Sequence, residues 1–365
     1  MEKLIINSND ILHNINEIKS KITTKDYTII AVVKGNAYGL GIIEFTNLLI
    51  KKGINFFAVA TEDEALQLRE AGIKNKILLL TPLTSKEDLI DLVKNDITLT
   101  VDSVNGATII NEIAKELNKK VSVHIKIDTG FSRYGFDYNQ EEDIIKIINE
   151  CNNIIYEGIY SHLSNSLAKD RTFSDIQFQR FTNLIKKLKE KNIEFKYRHI
   201  CNSSAFFKYP NMHLNCARIG SAFSGNAVGI DNSLKKIGLL QTKIVKIKTI
   251  NKGEYIGYGN SYKAKKQMKV AIIPVGYYKG VGITLKDQRF KFLSKVKRIV
   301  IDIKKIFDKD FIIINGEKLE LLGQIGMNNI VVNITGKNYK ENDEILLYVR
   351  PIFIDSNVKR IYKNM

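Results

Sequence analysis

Eight short apolar segments that alternate with helical patterns restrict the possible folds of this chain more than any other feature of its sequence. Each segment is rich in β-branched residues and apolar along most of its length, which is typical of parallel strands buried on both faces. The segments cover residues 28–33, 56–60, 76–81, 97–101, 121–127, 155–160, 196–200 and 215–219. Eight strand–helix units predict an α/β fold, a (β/α)8 TIM-type barrel, over residues 1–235.

Helix boundaries can be predicted at two places between these strands. The segment TEDEALQLREAG has a helical pattern and ends at Gly72, and glycine commonly follows the last helical residue. Thr84 and Glu87 have the spacing of a capping box, in which a hydroxyl and an acid satisfy the first N–H groups of a helix. We therefore predict a helix that begins with Thr84 as its N-cap.

The hydrophobic pattern changes after about residue 235. Segments such as KIVKIKTI, KVAIIPVGYY, RIVIDI and EILLYV follow one another with turn residues between them and little helical periodicity. Residues 236–365 are therefore predicted to form a smaller, mostly β C-terminal domain. Two domains also fit a length of 365 residues.

Composition and charge argue against several classes of protein. The net charge is +17, but the lysines are scattered and no nucleic-acid-binding motif is present, so no nucleic-acid partner is predicted. The three cysteines show no C-x-x-C spacing, which argues against a disulfide framework or a zinc site, and no metal is predicted. No apolar run reaches the roughly 18 residues of a membrane span, and the N-terminus lacks a secretory signal. These features predict a cytoplasmic protein that does not bind membranes.

Polar residues follow several predicted strands at their carboxyl ends, where the active sites of barrel enzymes lie. They are Lys34, Lys126, Arg133, His162, Asn202, Ser203, Arg218, Gly220 and Ser221. An amine held near low-dielectric walls loses basicity and becomes a nucleophile that can form a Schiff base. Taken singly, each residue has a simpler explanation: Lys34 can reach past the barrel rim to water, His162 can be a core histidine, and Ser203 can cap a helix. Together they predict an active site at the barrel mouth.

The residues after the seventh and eighth strands are suited to binding phosphate. Ser203, Gly220 and Ser221 offer hydroxyls and backbone N–H groups there, which is the usual phosphate position in this fold. An anionic cofactor or substrate is therefore expected at this side of the barrel mouth.

Several segments resemble the alanine racemase family, which is pyridoxal-phosphate-dependent and of fold-type III. The segments, in family order, are AVVKGNAYGLG, IKIDTGFSRYGF, the H-x-x-N-S of residues 199–203, ARIGSAF, GYGNSY, IPVGYYKG and GQIGMNN. The resemblance runs from about residue 5 to 335 and weakens in a shortened C-terminal region. It implies an isomerase that interconverts L- and D-alanine by two-base proton transfer at Cα, supplying D-alanine for cell wall precursors.

The resemblance also implies roles for individual residues. Lys34 would carry pyridoxal 5′-phosphate as a Schiff base and act as one base, and Tyr258 from the partner subunit would act as the other, so a homodimer with shared active sites is expected. Cofactor contacts would come from Tyr38, His162, Asn202, Ser203, Arg218, Gly220 and Ser221. The substrate would be bound by Arg133 and by the backbone at Met327. Lys126 matches a lysine that is carbamylated in some relatives.

Departures from the family pattern leave the substrate open. Ser356 stands where a phosphate-contacting tyrosine is usual, and the added room weakens the exclusion of larger side chains. Alanine is favoured, with serine or a broader range of amino acids as the alternative. A non-catalytic pyridoxal-phosphate carrier is the alternative from another class, although such carriers lack a β domain. A related amino-acid decarboxylase would need a catalytic cysteine motif, which we do not find.

Overall fold

The structure, a computed structural model, describes residues 2–168, 170–226, 233–283 and 310–364. The chain divides into two compact units: Asn9–Lys236, and Met1–Ser8 together with Ile237–Met365. The sequence predicts the first eight residues as part of the barrel, whereas the structure groups them with the C-terminal unit. The physical reason is strand pairing, because Lys3–Asn7 hydrogen-bonds to two strands of that unit.

The unit Asn9–Lys236 is a parallel (β/α)8 barrel. Its strands are β2 (Thr28–Val32), β3 (Phe56–Val59), β4 (Lys76–Leu79), β5 (Leu99–Val101), β6 (Val121–Asp128), β8 (Ile154–Tyr160), β9 (Tyr197–His199) and β10 (Cys216–Ile219). They are hydrogen-bonded in the order β4-β3-β2-β10-β9-β8-β6-β5, and a bridge between Leu78 and Thr98 closes the ring. The short strand β7 (Phe136–Asp137) pairs with β6. The predicted fold class is confirmed.

One helix precedes the first barrel strand, and the others follow barrel strands. They are α1 (Ser8–Ser20), α2 (Lys34–Tyr38), α3 (Ile42–Lys51), α4 (Glu62–Glu70), α5 (Lys86–Lys94), α6 (Val104–Glu116), α7 (Glu141–Glu150), α8 (Thr172–Glu190) and α9 (Ser203–Lys208). Gly72 lies just beyond the end of α4 with a φ of 78°, as predicted for a glycine that follows the last helical residues. The predicted N-cap of α5 is wrong by one residue, because the Ser85 hydroxyl accepts the Asp88 N–H and the helix begins at Lys86.

Alternation along the barrel strands decides which side chains reach the barrel mouth. Successive side chains of a strand point to opposite faces. Val32 and Cys216 belong to one buried cluster, and the residue two positions beyond each of them is Lys34 and Arg218, respectively. The alternation of side chains along the strands therefore places these two polar residues at the carboxyl end of the barrel, above its apolar interior.

The second unit is mostly β, as predicted. Its strands are β1 (Lys3–Asn7), β11 (Leu239–Lys243), β12 (Lys246–Ile250), β13 (Tyr255–Ile256), β14 (Tyr262–Lys263), β15 (Met268–Ile273), β16 (Phe311–Ile314), β17 (Glu317–Glu320), β18 (Ile330–Asn333), β19 (Glu344–Tyr348) and β20 (Lys359–Lys363). Six form a sheet in the order β17-β16-β19-β11-β1-β20, three form the sheet β12-β15-β18, and β13 pairs with β14. The predicted strand at residues 298–303 lies outside the described residues.

Among the described helices, none is both long enough and apolar enough to cross a membrane.

Candidate active site

A cavity of about 420 Å³ opens at the carboxyl ends of the barrel strands. All the residues predicted for the site line it except Tyr258 and Met327, which belong to the β unit. The predicted residues that line it are Lys34, Tyr38, Arg133, His162, Asn202, Ser203, Arg218, Gly220 and Ser221, and Lys126 lines it with them. Its size is typical of a site for a small molecule.

Lys34 lies where β2 leads into an unusual turn. The residues Gly35, Asn36, Ala37 and Tyr38 all have positive φ, between 52° and 62°, so α2 is a left-handed helical turn. Left-handed backbone costs about 1–2 kcal/mol for each residue that has a Cβ, and such strain is common at functional sites. The turn brings both Lys34 and Tyr38 to the cavity.

The surroundings of Lys34 favour a neutral amine. Burial lowers the pKa of Lys34, and the nearby cations Arg133 and Arg218 lower it further, while Glu64 opposes them. An amine with a lowered pKa is a better nucleophile and a better base at neutral pH. The site therefore favours the chemistry that the sequence predicted for this lysine.

Arg218 is a buried cation whose hydrogen-bond partners are all neutral. Its guanidinium bonds to the ring nitrogens Nδ1 of His199 at 2.6 Å and Nδ1 of His162 at 3.0 Å, and donates to the carbonyl oxygen of Ser161 at 2.8 Å. Weaker bonds reach two further carbonyl oxygens, and the Tyr160 ring lies 5.0 Å away. No carboxylate in the described part of the chain pairs with it. The cavity thus contains a positive charge that no described residue neutralises.

These bonds fix the proton positions of the neighbouring histidines. A guanidinium only donates, so the Nδ1 atoms of His162 and His199 must both be acceptors. The Nε2–H of His199 then donates to Nδ1 of His124, 2.8 Å away. Burial, followed by the charge of Arg218, keeps the pKa values of His162 and His199 well below the usual range. Both imidazoles therefore remain neutral.

Lys126 lines the cavity and is almost fully buried. Its ammonium donates to the carbonyl oxygen of Ile127 at 3.0 Å and lies 5.1 Å from the Tyr160 ring. Burial first, and Arg218 second, lower the pKa of Lys126 to about 7, although Asp128 opposes the change. This amine titrates near neutral pH.

Arg133 lies on the loop after β6. The Asp128 carboxylate accepts the N–H groups of Gly130 and Phe131 at 2.8 and 2.9 Å, together with the N–H of the next residue, which fixes the loop. The guanidinium of Arg133 lies 4.5 Å from the Phe131 ring and borders the cavity. The arrangement presents a cation suited to bidentate binding of a carboxylate.

Hydroxyl donors gather in the part of the cavity formed by the residues after β9 and β10 and by the turn after β2. Ser203 Oγ accepts the N–H of Gly220 at 3.0 Å and of Ala222 at 3.3 Å, so its own O–H is left to donate. Burial raises the pKa of Tyr38 to about 12, so this phenol keeps its proton. A Cβ on residue 220 would lie 2.5 Å from the Tyr38 hydroxyl, which explains the glycine. Asn202 caps α9, its side chain accepting the Ala205 N–H.

Several residues in and around the cavity are not predicted from the sequence. Tyr160 and Thr81 line the cavity, and His199 hydrogen-bonds to the cavity residue Arg218. Tyr160 could have been found, because it ends β8 two residues before His162 and alternation places both on one face. The contact between His199 and Arg218 could not be predicted from alternation along one strand, because the two side chains belong to different strands.

The other two predicted residues lie in the β unit, where three of the family-like segments meet. The Gln324 N–H donates to Ser261 Oγ at 3.2 Å, and the Tyr278 N–H donates to the Met327 carbonyl oxygen at 3.1 Å. Tyr258 is 78% exposed and Met327 is 49% exposed. Both side chains are therefore accessible on the surface of this unit.

A (β/α)8 barrel with a lysine- and arginine-lined mouth, followed in the same chain by a β unit, defines a class of two-domain barrel enzymes. The family model "Alanine racemase, N-terminal domain" matches residues 6–227, and "Alanine racemase, C-terminal domain" matches residues 238–360. The chain belongs to the alanine racemase family.

Individual relatives agree over nearly the whole chain. Alanine racemase 1 of Caldanaerobacter subterraneus subsp. tengcongensis is 35% identical over 96% of this chain and 92% of its own length. Alanine racemase of Methanococcus maripaludis is 33% identical over 93% of this chain and 86% of its own. The structure of alanine racemase from Clostridium difficile 630 matches with a TM-score of 0.86 and 29% identity, covering 99% of this chain and 95% of the other.

Proposed function

We propose that this chain is an isomerase that interconverts L- and D-alanine with pyridoxal 5′-phosphate bound through Lys34. The observation that carries the proposal is the charge of the cavity. Four basic side chains border it (Lys34, Lys126, Arg133 and Arg218), and none of the described residues that line it is acidic. Such a site suits an anionic cofactor and a substrate that carries a carboxylate.

The donors of the cavity fit the cofactor. The hydroxyls of Ser203 and Tyr38 and the backbone at Ser221 would hold the phosphate, while His162 would contact the ring. Asn202 and Gly220 line the cavity beside these groups and would complete the cofactor contacts, and the Gly220 N–H is directed to Ser203 Oγ in the structure. When bound, pyridoxal phosphate supplies an electron-withdrawing ring that acidifies the Cα proton of an amino acid.

Arg218 would set the character of the ring. The bonds to neutral acceptors hold the guanidinium in one orientation, and a guanidinium has no lone pair to accept a proton. It would therefore donate to the pyridine nitrogen and leave that nitrogen unprotonated, which weakens the ring as an electron sink. Proton return to Cα is then favoured over side reactions.

Two bases on opposite faces of Cα would perform the racemisation. The Lys34 amine, with its lowered pKa, would remove or return the proton on one face. Tyr258 of the partner subunit would serve the other face, and its exposure in the β unit leaves it accessible to a second copy of the chain. Arg133 would orient the substrate by its carboxylate. A homodimer in the cytoplasm, with Met327 near the substrate, completes the proposal.

A racemisation assay over a panel of amino acids tests the proposal. We expect L- and D-alanine each to converge on a racemic mixture in chiral chromatography, and Lys34→Ala to abolish the conversion. Faster turnover of serine would instead favour the broader substrate range that Ser356 suggests. A protein that binds pyridoxal phosphate but racemises no amino acid would contradict the proposal and favour the carrier.

A further inference from the structure

The turn that follows Lys34 is held by a carboxylate from α4, the helix of the next strand–helix unit. Oε1 of Glu64 accepts the N–H of Gly35 at 2.5 Å and the N–H of Asn36 at 3.3 Å, and Oε2 accepts the N–H of Ala60 at 3.1 Å. We propose that Glu64 is a positioning residue that fixes the direction in which Lys34 enters the cavity. The role toward the cofactor rests on the proposed function.

The left-handed turn needs an external acceptor. The first N–H groups of a helical turn have no carbonyl partner within it, and leaving them without acceptors adds to the cost of the left-handed backbone. Glu64 supplies the acceptor at the start of the turn. The Asn36 side chain, within the turn, accepts the N–H of Ile42, the first residue of α3, at 2.7 Å. Side chains therefore join the start of the turn to α4 and the middle of the turn to the start of α3.

Glu64 is itself fixed, so that it can act as a support. It lies in the first turn of α4, and its N–H donates to the Thr61 hydroxyl, the N-cap of that helix. Its two oxygens join the start of α4 to the end of β2 and the end of β3. Hydrogen bonds to an ionised acceptor are about twice as strong as neutral ones, which suits a strained segment.

The same carboxylate acts on the charge of Lys34. The charged groups that face the Lys34 amine are Arg133 from the loop after β6, Arg218 from β10 and Glu64 from α4. Among these, only Glu64 favours the ammonium form. Removing its charge is therefore expected to make Lys34 lose its proton at a lower pH.

The experiment compares Glu64→Ala and Glu64→Gln with Asp63→Asn, an exposed control in the same helical turn. Glutamine fills the space but offers one acceptor oxygen, so it cannot serve both Gly35 and Ala60. In the full-length chain without added cofactor, we measure the pH midpoint for acylation of Lys34 by an amine-selective reagent, using mass spectrometry. Hydrogen exchange over residues 33–41 is measured alongside it.

We expect both Glu64 variants to shift the Lys34 midpoint to lower pH and to lose exchange protection in residues 33–41. Glu64→Ala should also bind pyridoxal phosphate about tenfold more weakly, and the control should match the wild type.

Wild-type midpoints and wild-type protection in both variants would overturn the inference. If Glu64→Ala fails to fold, Glu64→Gln alone decides it. A wild type that binds no pyridoxal phosphate would refute the proposed function, while the Lys34 titration would still test Glu64.

Discussion

Arg218 shows at the scale of one residue how a buried charge can be kept ready for a ligand. Burying a charge is costly unless hydrogen bonds replace the lost water. Here imidazole nitrogens and carbonyl oxygens replace it without neutralising the charge. The arrangement continues to His124, whose Nε2 is buried without a partner among the described residues. A carboxylate in the same place would have neutralised the charge that an anionic cofactor requires.

Lys126→Met should change how stability depends on pH. The pKa of Lys126 is about 7 in the folded chain and near 10.4 in an unfolded one, so the buried ammonium destabilises the fold below pH 7. Wild-type stability should therefore rise between about pH 7 and pH 10 from this group. The variant lacks the penalty, so its advantage in free energy of unfolding should be largest near pH 6 and should shrink as the pH rises.

Denaturant unfolding at several pH values measures the effect, and Lys115→Met, on the exposed side of α6, is the control. Curves for Lys126→Met and the wild type that stay parallel from pH 6 to pH 10 would contradict the assigned environment.

Much of the site could be predicted at the residue scale. Lys34 and Arg218 were found because parallel strands bring their carboxyl ends to one edge and because side chains alternate along a strand. Glu64 could not be found, since an acid in the first turn of a helix normally indicates only a favourable helix dipole. Its contact with Gly35 depends on how two neighbouring strand–helix units pack, which no local pattern encodes.

At the scale of elements, the start of α5 gives a direct test of the corrected N-cap. The Ser85 hydroxyl accepts the Asp88 N–H and also donates to Glu87. Ser85→Ala should therefore cost about 1 kcal/mol of stability, the usual loss for a removed N-cap. Thr84→Ala is the matched control and should change the stability little. Equal losses for both variants, measured by denaturant unfolding, would show that the cap is not specific to Ser85.

The accuracy of the sequence predictions differs between elements according to how clearly the local sequence marks each one. The barrel strands were predicted to within one or two residues because each carries its own apolar run between helix signals. The N-cap was misplaced because Ser85 and Asp88 repeat the spacing of Thr84 and Glu87 one residue later. Residues 1–8 were assigned to the wrong unit because the partners of β1, the strands β11 and β20, lie far along the chain.

At the scale of the whole molecule, the proposal requires two chains for one complete site. If Tyr258 acts in the partner's site, Lys34→Ala and Tyr258→Phe homodimers should both be inactive, and mixing them should restore activity. A random equal mixture should recover about one quarter of the wild-type activity, because half of the dimers are hybrids with one complete site.

The control mixture combines Lys34→Ala with a Lys34→Ala/Tyr258→Phe double variant, which can form no complete site. Activity that stays at the control level after subunit exchange has been verified would show that the sites are not shared between chains.

The most direct test of the whole account is to find the residue that carries the cofactor. The protein is loaded with pyridoxal phosphate and reduced with borohydride, and its peptides are then mapped by mass spectrometry. We predict one pyridoxyl adduct, on Lys34, and none after prior incubation with a carbonyl-trapping hydrazine. Modification spread over exposed lysines, or an adduct on a lysine outside the barrel mouth, would contradict the account.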